Sequence, residues 1–112
     1  MSDGSALLAA DPTLTEIVHR LAEVFSPVRI YLFGSKARGD AKSGSDYDLL
    51  VIVPDDASEQ RRQSRHGYEK MRGIGAAVDI VIWRETSFQR RARVVASLPA
   101  TVLREGKLVY GT

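Results

Sequence analysis

A chain of 112 residues, 44% of them hydrophobic, can bury one modest core, which predicts a single domain over 1–112. Sixteen basic residues against fourteen acidic ones leave a formal charge of +2, so charge balance makes no case for a polynucleotide ligand. The absence of cysteine excludes a disulfide scaffold and a thiolate zinc site. With no apolar run near the ~20 residues of a membrane span, and no secretion signal in Met1–Ser5, a soluble cytoplasmic protein is expected.

In chain order, residues 1–10 read as a flexible N-terminal arm. A first helix follows, started either by Asp11 capping with Pro12 at the first helical position or by a Thr13/Glu16 capping box. Leu14, Ile17, Val18, Leu21, Ala22 and Phe25 recur at helical spacing and form its apolar stripe, and Ser26-Pro27 ends it. His19 lies off that stripe and reads as a solvated residue. Val28–Phe33 is an apolar strand that runs into Gly34-Ser35 and a short helical turn to about Asp40. After the loop 41–45, Tyr47–Val53 is continuously apolar and reads as a central strand.

Residues 57–72 carry few apolar anchors and read as an exposed helix weakened near Gly67. Arg61, Arg62, Arg65, Lys70 and Arg72 form either a solvated face or a basic surface for a partner, and Tyr68 is a packing residue or a modification site. Ala76–Trp83 is a third strand, in which Asp79 stands out as a carboxylate in an apolar run: buried there it needs a partner, or else it is a strand-end residue meeting solvent or capping a loop. Trp83 reads as core or rim, or as a base-stacking platform. Thr86 or Ser87 can cap a helix to about Leu98, Pro99 breaks it, 100–105 adds a helical turn or two, and Lys107–Tyr110 is a short last strand. Together these elements predict an α/β (α+β) fold with a small mixed sheet flanked by helices.

Two stretches carry chemistry. A glycine-serine turn between strand and helix brings backbone N–H groups together where phosphate can bind. Asp46 and Asp48, two apart where a strand begins, point to the same side with Cα atoms roughly 6.5–7 Å apart. Their mutual repulsion and loss of hydration would both be offset by a divalent cation. A phosphate cradle beside paired carboxylates describes a site for a metal-bound nucleoside triphosphate.

Gly34-Ser35, ten residues and Asp46-Tyr47-Asp48 resemble the signature of the nucleotidyltransferase superfamily. The fuller stretch, Gly34-Ser35-Lys36-Ala37-Arg38-Gly39-Asp40 with Ser45-Asp46-Tyr47-Asp48-Leu49, is most similar to the minimal nucleotidyltransferases (MNT), often paired with HEPN-family toxins. The resemblance implies a nucleotidyltransferase fold and transfer of a nucleotidyl group, AMP from ATP, to a hydroxyl acceptor with release of pyrophosphate. It further implies a third carboxylate, Asp79, facing the pair. Asp46 and Asp48 would bind two Mg²⁺ ions, Asp79 would hold the one nearest the acceptor, and all three would be catalytic. Gly34 and Ser35 would bind nucleotide, with Lys36, Arg38 and Lys42 as further phosphate ligands; Arg38 could instead pair with Asp40 or Asp55. The implied partner is a HEPN toxin whose tyrosine accepts AMP, which would make the chain an antitoxin. A catalytically silent antitoxin that acts by binding, and a stand-alone transferase for a small molecule or an RNA end, are the alternatives.

Overall fold

A computed structural model describes residues 2–41 and 44–112. Its centre is a five-stranded mixed sheet. The strands are β1 (Ser2–Asp3), β2 (Arg29–Phe33), β3 (Tyr47–Val53), β4 (Val78–Arg84) and β5 (Lys107–Tyr110), in spatial order β1-β5-β2-β3-β4. β2 runs antiparallel to β3 and β5, whereas β3 and β4 are parallel, as are β1 and β5. The helices are α1 (Ser5–Ala10), α2 (Pro12–Phe25), α3 (Ser35–Arg38), α4 (Arg65–Lys70), α5 (Glu85–Arg91) and α6 (Leu98–Glu105). No helix among the described residues is long and apolar enough to cross a membrane.

Alternation along β3 divides the core in two. Leu49, Val51 and Val53 meet Leu14, Ile17, Leu21 and Phe25 of α2, while Leu50 and Ile52 point to the other face, toward Phe88 of α5 and Val102 of α6. The α2 stripe is buried as its periodicity requires, and the Asp11 carboxylate accepts from the Leu14 N–H at 3.0 Å with Pro12 in the first turn, so Asp11 supplies the cap. His19 is exposed, beside Glu23. On the second face Tyr31 stacks on Phe88, with ring centroids 5.9 Å apart.

Several sequence expectations are corrected. Residues 2–10 are not a flexible arm: β1 pairs with β5, Gly4 N–H donates to Leu108 O at 2.7 Å, and Leu7 and Leu8 pack against the core. Across 57–72 helix is confined to α4, and Gly67 is its buried residue, where a Cβ would lie 2.8 Å from Ile80 Cδ1 and 3.0 Å from Phe25 Cε2. The helix expected up to Leu98 stops at Arg91. Pro99 lies in the first turn of α6 instead of breaking a helix, with Ser97 as cap accepting from Ala100 N–H at 3.2 Å. Thr86 caps nothing with its side chain; its N–H and hydroxyl both donate to the Asp55 carboxylate.

Candidate active site

Strand register brings the chemistry together. Phe33 on β2 lies opposite Asp48 on β3, and Asp48 lies opposite Asp79 on β4. Residues in register on neighbouring strands share a face, so Asp48 and Asp79 stand side by side where β3 and β4 begin, next to the end of β2. Their face is the one holding Leu50 and Ile52. Asp46 lies two residues before Asp48 and is exposed.

Gly34 leaves β2 at φ 75°, ψ −160°, a backbone region essentially closed to residues with a Cβ. The space is closed too, because a Cβ would sit 2.3 Å from Asp48 Oδ2. The bend therefore presses directly on the central carboxylate. Its carbonyl accepts from the Ala37 and Arg38 N–H groups at 3.1 Å each, starting α3. With a single helical turn there is little aligned dipole, so any phosphate affinity rests on the N–H groups of the turn and the Ser35 hydroxyl.

Electrostatics single out Asp48. Burial raises its pKa above the ordinary 3.8, the negative charges of Asp79 and then Asp46 raise it further, and Arg38 opposes them. Three carboxylates thus share one field, and it disfavours ionisation at the middle one. Among the described residues, no three His, Cys, Asp or Glu side chains enclose a metal site as they stand. The donor set nonetheless fits a hard divalent cation: all-oxygen ligands, with a like-charge conflict that a cation relieves. Magnesium in such sites takes one or two carboxylates and completes its shell with water and substrate phosphate.

The sequence matches the Nucleotidyltransferase domain family over residues 14–105, a span that runs from α2 to the end of α6 and contains the whole acidic row. The chain belongs to the nucleotidyltransferase domain family. Solved structures agree in fold. A toxin–antitoxin complex with AMP-PNP matches at TM-score 0.62 and 24% identity, covering 88% of this chain and 73% of that one. A Sulfolobus solfataricus protein described as a candidate nucleotidyltransferase matches at 0.59 and 24%, covering 89% and 78%. A complex of tri-AMPylated Shewanella oneidensis HEPN toxin with MNT antitoxin matches at 0.56 and 23%, covering 89% and 71%. No curated protein matches the sequence.

Within this nucleotidyltransferase domain the expected basic ligands are spread out. Arg38 is exposed and pairs with Asp40 at 3.2 Å rather than with Asp55, while its charge still reaches Asp48. Lys36 turns the other way. Its Nζ lies 4.3 Å from the centre of the Tyr47 ring, and Tyr47 points to the α2 face of β3, opposite Asp48. There Lys36 lines a cleft of about 310 Å³ with Thr13, Ser45 and Tyr47. Lys42 lies outside the described residues. Asp79 is exposed rather than buried, because β4 is the sheet's edge. It does have a partner, Tyr68 of α4, whose hydroxyl donates to Asp79 Oδ1 at 3.1 Å. Nothing in the sequence pointed to that pairing, since helix and strand are joined by an irregular turn that leaves their relative placement open.

Proposed function

We propose that this domain transfers AMP from ATP to a hydroxyl acceptor with the help of Mg²⁺, the acceptor being a tyrosine of a HEPN-family toxin, so that the chain serves as the antitoxin. The observation that carries the reading is the Gly34–Asp48–Asp79 row: a bend that admits no side chain, against a carboxylate whose ionisation is disfavoured, in register with another carboxylate. Similarity to toxin–antitoxin complexes, one with AMP-PNP and one with an AMPylated HEPN toxin, supports the choice of nucleotide and partner.

In this reading Gly34 leaves room for the triphosphate to approach the backbone. The Ser35 hydroxyl and the N–H groups of the turn hold its terminal phosphates. Asp46 and Asp48 would hold magnesium, which when bound would supply positive charge where the transferred phosphate reacts. Asp79, also a ligand, accepts the proton of the attacking hydroxyl. The acceptor oxygen forms a bond to the α-phosphorus, the bond to the bridging oxygen breaks, and pyrophosphate leaves with that electron pair. Arg38 is near enough in charge to temper the acidic row.

Incubating the chain with α-labelled ATP, Mg²⁺ and a co-expressed HEPN partner tests this. Label on a partner tyrosine supports the reading, provided it is lost in Asp48→Asn. A tight complex without label would make the chain a silent binder, and label on a small molecule or an RNA end would replace the acceptor.

A further inference from the structure

Asp79 is the member of the acidic row on the sheet's edge strand. It sits exposed there, in register with Asp48, whose like charge repels it. One neutral donor fixes the carboxylate at that edge. Tyr68 Oη donates to Asp79 Oδ1 at 3.1 Å, and the same oxygen accepts the Ile80 N–H at 2.9 Å. The hydroxyl thus bridges the backbone of β4 and the side chain next to it, so the carboxylate is tied to its own strand. Gly67 makes this reach possible. With no room for a Cβ against Ile80, Phe25 and Leu21, α4 approaches the sheet closely and puts the following side chain at the free edge.

Resting on the transferase reading above, we propose that Tyr68 is a positioning residue, which fixes Asp79 Oδ1 at the free edge of β4 and so leaves the other carboxylate oxygen for the row, where it can take up a divalent cation and receive the acceptor's proton. It touches neither nucleotide nor acceptor. Its hydroxyl acts through Asp79 alone, as outer partners of metal-binding carboxylates do.

The test compares wild type with Tyr68→Phe, Asp79→Asn and Asp48→Asn in the full chain. It measures Mn²⁺ binding without nucleotide by electron paramagnetic resonance, steady-state AMP transfer, and melting temperature. Tyr68→Phe is expected to weaken Mn²⁺ binding and lower kcat, each by roughly tenfold. KM for ATP stays at the wild-type value and the melting temperature barely moves, since an edge N–H freed by the change is met by water. Wild-type Mn²⁺ binding and kcat in Tyr68→Phe would overturn the proposal, as would losses shared equally by KM and melting temperature. Label appearing on the chain itself and vanishing in Tyr68→Phe would also overturn it, by making the hydroxyl an acceptor. If the two aspartate variants lose Mn²⁺ binding and transfer while Tyr68→Phe does not, only the positioning role fails. If they too behave as wild type, the transferase reading fails and takes that role with it.

Discussion

Replacing Gly34 with alanine puts a methyl carbon 2.3 Å from Asp48 Oδ2 and 3.2 Å from its Cγ, on a backbone at φ 75°. Two costs follow. The backbone conformation itself costs a β-carbon residue about 1–3 kcal/mol. The contact is resolved only if Asp48 swings aside, which takes the carboxylate out of the row it forms with Asp79. Backbone strain of about 2 kcal/mol lowers the melting temperature of a domain this size by roughly 10 °C, so the variant still folds at room temperature. Transfer activity and Mn²⁺ binding fall much further, because both need Asp48 in place. A double-mutant cycle separates the terms. In an Asp48→Ala background the contact is gone and only strain remains, so Gly34→Ala destabilises less there than in wild type. Denaturant unfolding of the four proteins measures the difference. Strict additivity would refute the contact argument, and a Gly34→Ala variant with wild-type transfer would refute the placement of the site.

Asp48→Asn is expected to abolish transfer yet raise the melting temperature at neutral pH. The folded-state pKa of Asp48 lies above its ordinary value through burial and then the Asp79 and Asp46 charges, so between the two values the folded protein binds more protons. Stability contributed by this group therefore falls as pH rises through the folded pKa, and its penalty is complete above it. The gain from Asn should shrink as the pH is lowered through the range in which the aspartate itself protonates; a gain that grew with acidity would reverse the sign. Saturating Mg²⁺ should raise the melting temperature of wild type and not of Asp48→Asn, with a chelator undoing the effect; equal shifts in both would place the cation elsewhere. Gly67→Ala should be destabilising by about 1–2 kcal/mol in urea unfolding, because the overpacking against Ile80 and Phe25 exceeds the helix-propensity gain. Glu85→Gln should cost about 2 kcal/mol in the same assay, since the Glu85 carboxylate accepts Arg29 Nη2 with both oxygens in a half-buried pair joining β2 to α5.

What the sequence determined by itself is what depends on near neighbours along the chain. The stripe from Leu14 to Phe25 is written in spacings of three and four, and β3 in an unbroken apolar run, while the cap of that helix stays open in the sequence between Asp11 and a Thr13/Glu16 box. The glycine-serine turn and the paired aspartates are legible because their chemistry is set within a few residues. Tertiary structure alone decided the rest. Asp79 meets Asp48 across thirty-one positions through the parallel register of β3 and β4, a match that no local pattern encodes. Tyr68 reaches Asp79 only because Gly67 lets α4 settle onto the sheet, and Gly4 finds Leu108 from the far end of the chain. Lys36, close in sequence to the bend, is drawn to the opposite face by the Tyr47 ring. Such pairings arise when separate apolar faces are buried together, and burial is indifferent to order along the chain: it acts on area removed from water, and geometry then dictates which side chains become neighbours.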